Sequence, residues 1–441
     1  MSAQDWAFET KQIHAGQVPD GDTGSRALPI YQTTSFVFDS AETAANRFGL
    51  SDLGPIYTRI GNPTSQAVEE RIAALEGGVG ALLLASGQAA TTFAILNVAQ
   101  AGDHVVASAA LYGGTYNLLK YTLKRLGVET TFVEDIGDLD AWKNAIRPNT
   151  KLLFGETLSN PDQKVLDVAG VAAVAHDAGL PLFVDNTVAT PYLLRPIEHG
   201  ADVVIHSATK YLGGHGTSIA GVLVDAGTFD YAKEPEKFPQ FNEPSESYHG
   251  LVFARDLGVG SALGANLAFI LKARVELLRD LGSAVSPFNA FLIAQGLETL
   301  SLRVERHVEN AKKVVAYLSE HAQVEKVFYA SKDDSPHKEL ADRYLPTGSG
   351  AVFSFEIAGG IDAGKAFVDA LELHSHVANI GDVRSLAIHP ATTTHSQGSD
   401  DDRRGAGVTP GLVRLSVGVE NANDIIADLD KGFAAAKAAS A

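Results

Sequence analysis

The sequence predicts an α/β fold built on a mostly parallel sheet of seven strands, with a smaller α+β domain after it. Short apolar runs alternate with helical patterns from residue 64 to about 226, which is typical of a parallel sheet covered by helices on both faces. The chain has 441 residues. That is more than one hydrophobic core usually serves, so a second domain is expected.

Each predicted strand is a short apolar run bounded by turn residues or by a helical pattern. The runs cover residues 81–85, 104–107, 128–134, 151–156, 181–185, 201–207 and 219–225. Val68, Ile72 and Leu75 share one face of a helix that should end at Gly77. The smaller domain contains helical patterns over 261–322 and apolar strands at 351–357 and 412–418.

We therefore divide the chain into three parts. Residues 1–63 lack the alternating rhythm and should form an arm, residues 64–260 form the large domain, and residues 261–441 form the C-terminal domain. Within the large domain, residues 227–258 are rich in Pro, Glu, Phe and Tyr and are predicted to be a long loop.

Composition excludes several classes of function. The 53 acidic residues outnumber the 35 basic ones, and a net charge of −18 repels nucleic acids and anionic membranes. The absence of cysteine excludes disulfides, thiolate metal sites and cysteine nucleophiles. The N-terminus has no basic segment before an apolar core, and no apolar run approaches about 18 residues. We expect a cytoplasmic protein with no nucleic-acid or membrane partner.

Two predicted strands lead to groups that suit pyridoxal 5′-phosphate (PLP). The run that begins at Ala201 closes at Lys210, and the run that begins at Pro181 delivers Asp185, so two predicted buried strands end in a lysine and a carboxylate. Parallel strands bring such residues to one edge of the sheet, where open α/β folds bind ligands. There the amine can form a Schiff base with the aldehyde of PLP, and the carboxylate can pair with the protonated pyridine nitrogen. A buried ion pair between Lys210 and Asp185 is the alternative.

A phosphate site is predicted at the same edge. Ser86-Gly87-Gln88 lies between a strand and a helix, so the amides of Gly87 and Gln88 should point from a helix N-terminus toward an anion. The hydroxyls of Ser207 and Thr209 flank the strand end and can donate to the same phosphate. Ordinary turn roles for these residues are the alternative.

Three further residues each have two interpretations. Tyr112 follows an apolar strand and either stacks on the cofactor or packs in the core. Arg414 lies inside a strand, where its charge needs a partner, either a substrate carboxylate held by the guanidinium fork or a structural salt bridge. Arg59, in the arm, is either a surface charge or a group that reaches a neighbouring subunit.

Two other kinds of site are disfavoured. The spacing of His389 and His395 matches neither a helical pair nor a zinc finger, and no nearby carboxylate completes a ligand set, so no metal is expected. Ser207-Ala-Thr-Lys210 fits the S-x-x-K signature of penicillin-recognising enzymes, but their Ser-Asp-Asn and Lys-Thr-Gly partners are missing. A non-catalytic binding or scaffold role stays open.

Together these motifs resemble the Cys/Met-metabolism family of PLP-dependent enzymes. The likeness extends from His14-Ala-Gly and the run Tyr-Thr-Arg-Ile-Gly-Asn-Pro-Thr that begins at Tyr57 to the run Arg-Leu-Ser-Val-Gly-Val-Glu that begins at Arg414. The resemblance implies the PLP-dependent transferase fold type I, which is aspartate aminotransferase-like. It also implies a homodimer with shared active sites, usually paired into a homotetramer.

The resemblance assigns a role to each candidate residue. Lys210 would be the Schiff-base lysine, Asp185 would hold the pyridinium nitrogen and Tyr112 would stack on the ring. The phosphate ligands would be Gly87, Gln88, Ser207 and Thr209 of one subunit with Tyr57 and Arg59 of the next. The substrate-binding residues would be Arg414, which takes the α-carboxylate, with Asn160, Asn379 and Glu156. Either Tyr112 or Tyr57 would assist proton transfer near the leaving group.

Within the family, two stretches are similar to the O-acetylhomoserine sulfhydrylases: the one from Asn379 to Gln397, and the loop ending in Tyr248-His-Gly. Gly114 stands where methionine γ-lyases often carry cysteine. This likeness implies that sulfide replaces the acetate of O-acetyl-L-homoserine, which gives L-homocysteine in methionine biosynthesis. An O-succinylhomoserine sulfhydrylase and a cystathionine or methionine γ-lyase are the alternatives.

Overall fold

The structure is a computed structural model that describes residues 6–394 and 407–440. A seven-stranded sheet forms its larger part. Its strands are β1 Gly80–Leu84, β2 His104–Ser108, β3 Glu129–Val133, β4 Thr150–Glu156, β5 Leu182–Asp185, β6 Val203–His206 and β7 Gly221–Asp225. They lie in the order β1-β7-β6-β5-β4-β2-β3. Strand β7 is antiparallel to both its neighbours and every other adjacent pair is parallel, which confirms the predicted mostly parallel sheet.

Helices cover this sheet and form parts of the arm. They are α1 Phe8–His14, α2 Ala41–Phe48, α3 Pro63–Glu76, α4 Gly87–Val98, α5 Gly113–Asn117, α6 Leu139–Ala145, α7 Val168–Asp177 and α8 Thr190–Leu193. Helix α5 continues into a π-helical segment, Leu118–Leu123. Helix α3 is capped at its N-terminus by Asn62, whose side chain accepts from the amide of Thr64, and at its C-terminus by Gly77 in the left-handed conformation. The predicted end of this helix is confirmed.

The segment 227–258, predicted to be a long loop, contains four short helical turns. They are Tyr231–Lys233, α9 Pro239–Asn242, Glu246–Tyr248 and α10 Phe253–Asp256. Phe238, Phe241 and Phe253 are fully buried and fix these turns to the large hydrophobic cluster. Each turn is too short to produce a helical repeat in the sequence, so composition alone indicated a loop.

A second sheet lies in the C-terminal part. Its strands are β8 Val324–Phe328, β9 Val352–Ile357, β10 Ser375–His376, β11 Leu386–Ile388 and β12 Leu412–Ser416. They lie in the order β10-β11-β12-β9-β8, and only β10 and β11 pair in parallel. The accompanying helices are α11 Ala268–Lys272, α12 Arg279–Leu281, α13 Pro287–Leu297, α14 Leu300–Glu320, α15 Lys338–Tyr344, α16 Gly360–Asp369 and α17 Ala422–Ala439. This is the expected α+β arrangement.

Helix α14 is shared between two hydrophobic clusters. Val304 and Val308 belong to the cluster around the larger sheet. Ala311, Val314 and Leu318, further along the same helix, belong to the cluster around the smaller sheet. The domain boundary after residue 260 stays a prediction. Across residues 6–394 and 407–440, no helix combines the length and apolarity that a membrane span needs.

Candidate active site

The carboxyl edge of the larger sheet carries the predicted cofactor residues. Asp185 is the last residue of β5. Lys210 does not close a strand as the sequence suggested, because β6 ends at His206 and the chain then turns. The amide of Gly213 donates to the carbonyl of Ala208 at 2.9 Å and closes this turn. Lys210 therefore lies on a turn beyond the strand.

Asn379 connects the predicted Schiff-base lysine to the predicted carboxylate-binding arginine. Lys210 Nζ donates to Asn379 Oδ1 at 2.5 Å. Arg414 donates from Nη2 to the backbone carbonyl of Asn379 at 3.1 Å and from Nη1 to Asn160 Oδ1 at 3.4 Å. The structure thus brings together four residues that the sequence separates widely.

Arg414 has hydrogen-bond partners but no counter-ion among the residues that the structure describes. Within the described ranges it makes no salt bridge, so the structural salt bridge considered for it is not found there. Burial lowers the pKa of Arg414 to about 10. Burial, and then the charge of Arg414, lower the pKa of Lys210. A carboxylate of a bound ligand would serve as the counter-ion of Arg414. The lowered pKa favours the neutral, basic form of Lys210.

A second group of residues contains Asp185, Glu156 and Tyr112. Glu156 is the register partner of Asp185 on the neighbouring strand β4. Glu156 Oε1 accepts from the amide of Tyr112 at 2.6 Å, so this carboxyl contacts the segment that presents the exposed Tyr112 ring. Burial raises the pKa of both carboxyls, and the charge of Asp185 raises that of Glu156 further. A cation beside Asp185 would favour its ionised form.

The predicted phosphate cradle is built by close backbone approach. A Cβ atom at Gly87 would lie 2.7 Å from Ser207 Cβ, and one at Gly221 would lie 2.1 Å from the carbonyl oxygen of Ser86. Only glycine therefore allows the N-terminus of α4 to reach the sheet edge. Ser86 satisfies the amides of Ala89 and Ala90, which leaves the amides of Gly87 and Gln88 for a ligand.

The two predicted hydroxyl ligands differ in their surroundings. Ser207 Oγ lies beside Gly87 at the start of α4. Thr209 Oγ1 donates to the carbonyl of Ala220 and accepts from its amide, both at 3.1 Å. The hydroxyl proton of Thr209 is thus used within the chain, by the carbonyl of Ala220.

In the described part of the chain, Tyr57 and Arg59 make no hydrogen bond or salt bridge to the other predicted cofactor residues. Arg59 donates from Nη1 to the carbonyl of Arg279 and stacks over the Tyr57 ring, at 5.2 Å from its centroid. Both residues line a surface cavity of about 270 Å³ together with Thr33, Ala284 and other residues. The structure therefore does not place them with Lys210 of the same chain.

The structure describes only one of the two histidines that were considered as metal ligands. His395 lies outside the described residues. His389 has both ring nitrogens engaged, Nδ1 with Thr392 Oγ1 at 2.9 Å and Nε2 with the carbonyl of Pro410 at 2.8 Å. Residues 6–394 and 407–440 contain no group of three or more His, Asp or Glu side chains placed to hold a metal ion.

Sequence reasoning missed one buried pair behind the site. His206 Nε2 and Glu76 Oε1 are 2.5 Å apart, and both side chains are fully buried. Asn186, next to Asp185, donates to the same Oε1 at 3.0 Å. The available signal was an ionisable residue at the end of an apolar strand, which is rarely buried without a partner.

The residues at this edge fit PLP. A buried carboxylate without a salt bridge in the described ranges, an amine of lowered pKa, and two open amides beside a serine match the pyridine nitrogen, the aldehyde and the phosphate. In agreement, the sequence matches the Cys/Met metabolism PLP-dependent enzymes over residues 9–434, and the chain belongs to this family. PLP is accordingly its cofactor.

Several relatives match nearly the whole chain. The O-acetyl-L-homoserine sulfhydrylase of Corynebacterium glutamicum is 55% identical, over 98% of both chains. That of Leptospira meyeri is 52% identical over 96% of both, and the homocysteine synthase of Schizosaccharomyces pombe is 49% identical over 97% of this chain and 98% of its own.

A solved structure of a Campylobacter jejuni protein superimposes with a TM-score of 0.92 at 38% identity. The alignment covers 97% of this chain and 100% of that one. The neighbour contains N′-pyridoxyl-lysine-5′-monophosphate, in which a lysine is joined to the cofactor. The expected fold type I is confirmed.

Proposed function

We propose that the protein is an O-acetyl-L-homoserine sulfhydrylase, a PLP-dependent transferase that replaces acetate by sulfide and releases L-homocysteine for methionine biosynthesis. The observation that carries the proposal is the contact of Lys210 and Arg414 with the same residue, Asn379. That arrangement places a basic amine beside a guanidinium that has no salt bridge to any described residue, as an α-amino acid substrate requires. The full-length similarity to named sulfhydrylases favours this substrate.

The same residues would hold the cofactor. Lys210 Nζ would bind it covalently, Asp185 would face the pyridine nitrogen, and Tyr112 would lie against the ring. Gly87, Gln88 and Ser207 would bind the phosphate, with a smaller part for Thr209 because its proton is used by Ala220. When bound, PLP withdraws the electrons left at the α-carbon when a proton is removed.

The chain's own groups would bind the substrate and move its protons. Arg414 would take the α-carboxylate, with Asn160 and the carbonyl of Asn379 orienting the guanidinium. Lys210 would remove protons from the α- and β-carbons and return them later, because its lowered pKa keeps more of the amine unprotonated. Between these transfers, acetate leaves the γ-carbon and sulfide bonds to the same carbon. Tyr112 or Tyr57 would assist near the leaving group.

The active form would be a homodimer, paired into a homotetramer, in the cytoplasm. Tyr57 and Arg59 support the shared site, because their partners within the chain do not include Lys210 and both residues line a surface cavity. Exposed apolar side chains in the same arm, Val37 and Phe48 among them, favour burial against a second copy. Arg59 would then complete the phosphate site of the neighbour.

The test is to supply O-acetyl-L-homoserine to the PLP-loaded protein with and without sulfide, and to assay homocysteine and 2-oxobutanoate. Homocysteine that forms only with sulfide is the expected result. 2-Oxobutanoate formed regardless of sulfide would replace this proposal by a γ-lyase. Faster turnover of O-succinyl-L-homoserine would make the succinyl ester the preferred substrate, with the same class of reaction.

A further inference from the structure

Helix α14 connects the turn that carries Lys210 to the strand that carries Arg414. Arg303, His307 and Asn310 lie on one face of this helix and are all buried. Buried polar side chains need partners. Each of the three donates to at least one backbone carbonyl outside α14.

Arg303 fixes the turn after Lys210. It donates from Nη1 to the carbonyl of Tyr211 at 2.8 Å and from Nη2 to that of Gly296 at 2.6 Å. A Cβ atom at Gly214 would lie only 2.1 Å from Arg303 Nη1, so the guanidinium packs directly on this turn. Arg303 therefore ties the lysine turn to the first half of α14.

Asn310 fixes the chain after Arg414. Its Nδ2 donates to the carbonyls of Gly418 at 3.0 Å and Glu420 at 2.8 Å, directly beyond β12. Arg414 lies on β12 itself. The second half of α14 is thus bound to the element that presents the guanidinium.

His307 contacts both elements at once. Its Nδ1 donates to the carbonyl of Val417 at 2.7 Å. Its ring meets the ring of Tyr211, the residue after Lys210, edge to face at 5.2 Å. Burial lowers its pKa to about 4, so near neutral pH the ring is uncharged and acts as a fixed donor.

We propose that His307 is a positioning residue that sets the separation of Lys210 from Arg414, and so places the α-carbon of a bound amino acid under Lys210 Nζ. The inference rests on the proposed function only in taking Lys210 as the base and Arg414 as the carboxylate ligand. It names neither the acyl group nor the nucleophile. Small displacements matter here, since about 1 Å of misplacement can cost about 100-fold in rate.

Two variants each remove one of the two contacts. His307→Phe keeps a ring against Tyr211 and loses the donor to Val417. His307→Asn keeps a donor close to the position of Nδ1 and loses the ring. The matched control is His321→Phe, because His321 follows the same helix and stacks on Phe433 without touching either catalytic element.

The readout is the exchange of the α-proton of L-norleucine in deuterated water, followed by proton NMR on the PLP-loaded protein. L-Norleucine has an α-carboxylate but no leaving group, so exchange reports how Lys210 is placed over the α-carbon. We expect at least about 10-fold slower exchange in both His307 variants at saturating L-norleucine, with cofactor content unchanged. His321→Phe should exchange at the wild-type rate.

A loaded His307 variant of either kind that exchanges at the wild-type rate overturns the inference, as does an equal loss in His321→Phe. A wild-type protein that binds PLP but exchanges no α-proton would instead count against the proposed role of Lys210. The two failures are therefore distinguishable.

Discussion

Lys210 Nζ lies 2.5 Å from Asn379 Oδ1, although 169 positions separate the two residues. The contact crosses from the turn after β6 to the loop before β11. Asn379 also accepts from Arg414 through its backbone carbonyl. Lys210, the proposed base, and Arg414, the proposed carboxylate ligand, therefore share Asn379 as a neighbour. A substitution of either residue should change a measurable property of the other.

Replacing Arg414 should weaken amino acid binding. In Arg414→Gln the dissociation constant of L-norleucine, titrated by the absorbance of bound cofactor, should rise at least about 30-fold, because a buried charged hydrogen-bond partner is removed. Arg414→Lys keeps the charge but lacks the planar guanidinium, so its dissociation constant should lie between those of the wild type and Arg414→Gln. Unchanged affinity in Arg414→Gln would assign the substrate carboxylate to another residue.

The same substitution should shift the titration of Lys210 in the cofactor-free protein. Burial and the charge of Arg414 both lower the pKa of Lys210, so Arg414→Gln should raise this pKa and leave more of the amine protonated at neutral pH. The rate of covalent PLP attachment, measured against pH, should then have its midpoint at higher pH. Arg384→Gln, at an exposed arginine paired with Asp382, is the control and should not move it. A midpoint that moves to lower pH in Arg414→Gln would contradict the electrostatic account.

Gly114 should be required for the position of the Tyr112 ring. A Cβ atom there would lie 2.4 Å from Tyr112 Cε1, so Gly114→Ala must displace the ring. Turnover should fall about 10-fold or more, while covalent attachment of PLP persists. Gly113→Ala is a matched control because a Cβ atom at Gly113 meets nothing within 4 Å. Equal turnover in the two variants would show that the Tyr112 ring is not needed where it stands.

The protonation of Asp225, at the other edge of the sheet, should make stability depend on pH. Burial raises its pKa from 3.8 to about 7 in the folded protein. The folded state thus holds a proton that the unfolded state has released, and the free energy of unfolding falls as pH rises between these values and is constant above them.

Asp225→Asn removes this dependence. Between about pH 5.5 and 8.5 the variant should gain about 2 kcal/mol relative to the wild type, measured by urea unfolding at each pH. Asparagine can still accept from the amide of Gly227, as Asp225 Oδ1 does at 2.8 Å. A difference between the two proteins that does not vary with pH would mean that Asp225 is ionised throughout.

A shared active site predicts complementation between two inactive variants. Lys210→Ala lacks the proposed base and Arg59→Ala lacks the proposed phosphate ligand of the neighbouring site, so each alone should turn over negligibly. After subunits are mixed and exchanged, about a quarter of the sites should be intact, because each mixed dimer has one complete site. Activity that stays absent after exchange, verified by mass spectrometry of mixed dimers, would place Arg59 in its own subunit's site.

The larger sheet and the ends of its strands could be predicted from the sequence because each strand is a continuous apolar run between helical patterns. That pattern also located Asp185 at the end of its strand, but it placed Lys210 at a strand end instead of on the turn beyond β6. The antiparallel direction of β7 could not be predicted from this pattern, since a buried strand is apolar in either direction.

Contacts between distant segments could not be predicted for a different reason. The bond between Lys210 and Asn379 depends on how two loops meet, and each loop is set by packing elsewhere, such as Gly381 against the backbone of Tyr211. The hydrogen bond of Thr209 to Ala220 likewise could not be predicted, because only the folded chain brings Ala220 beside it.

Gly87 closely approaches Ser207, and Gly221 closely approaches Ser86. A substitution at one of these four positions therefore affects the others. A side chain added at either glycine would push the N-terminus of α4 away from the sheet edge. The amides of Gly87 and Gln88 would then no longer lie where they could bind a phosphate. In laboratory evolution toward other acyl esters or thiols, the tolerated substitutions should therefore lie around the exposed Tyr112. The phosphate-binding positions should stay unchanged in such variants.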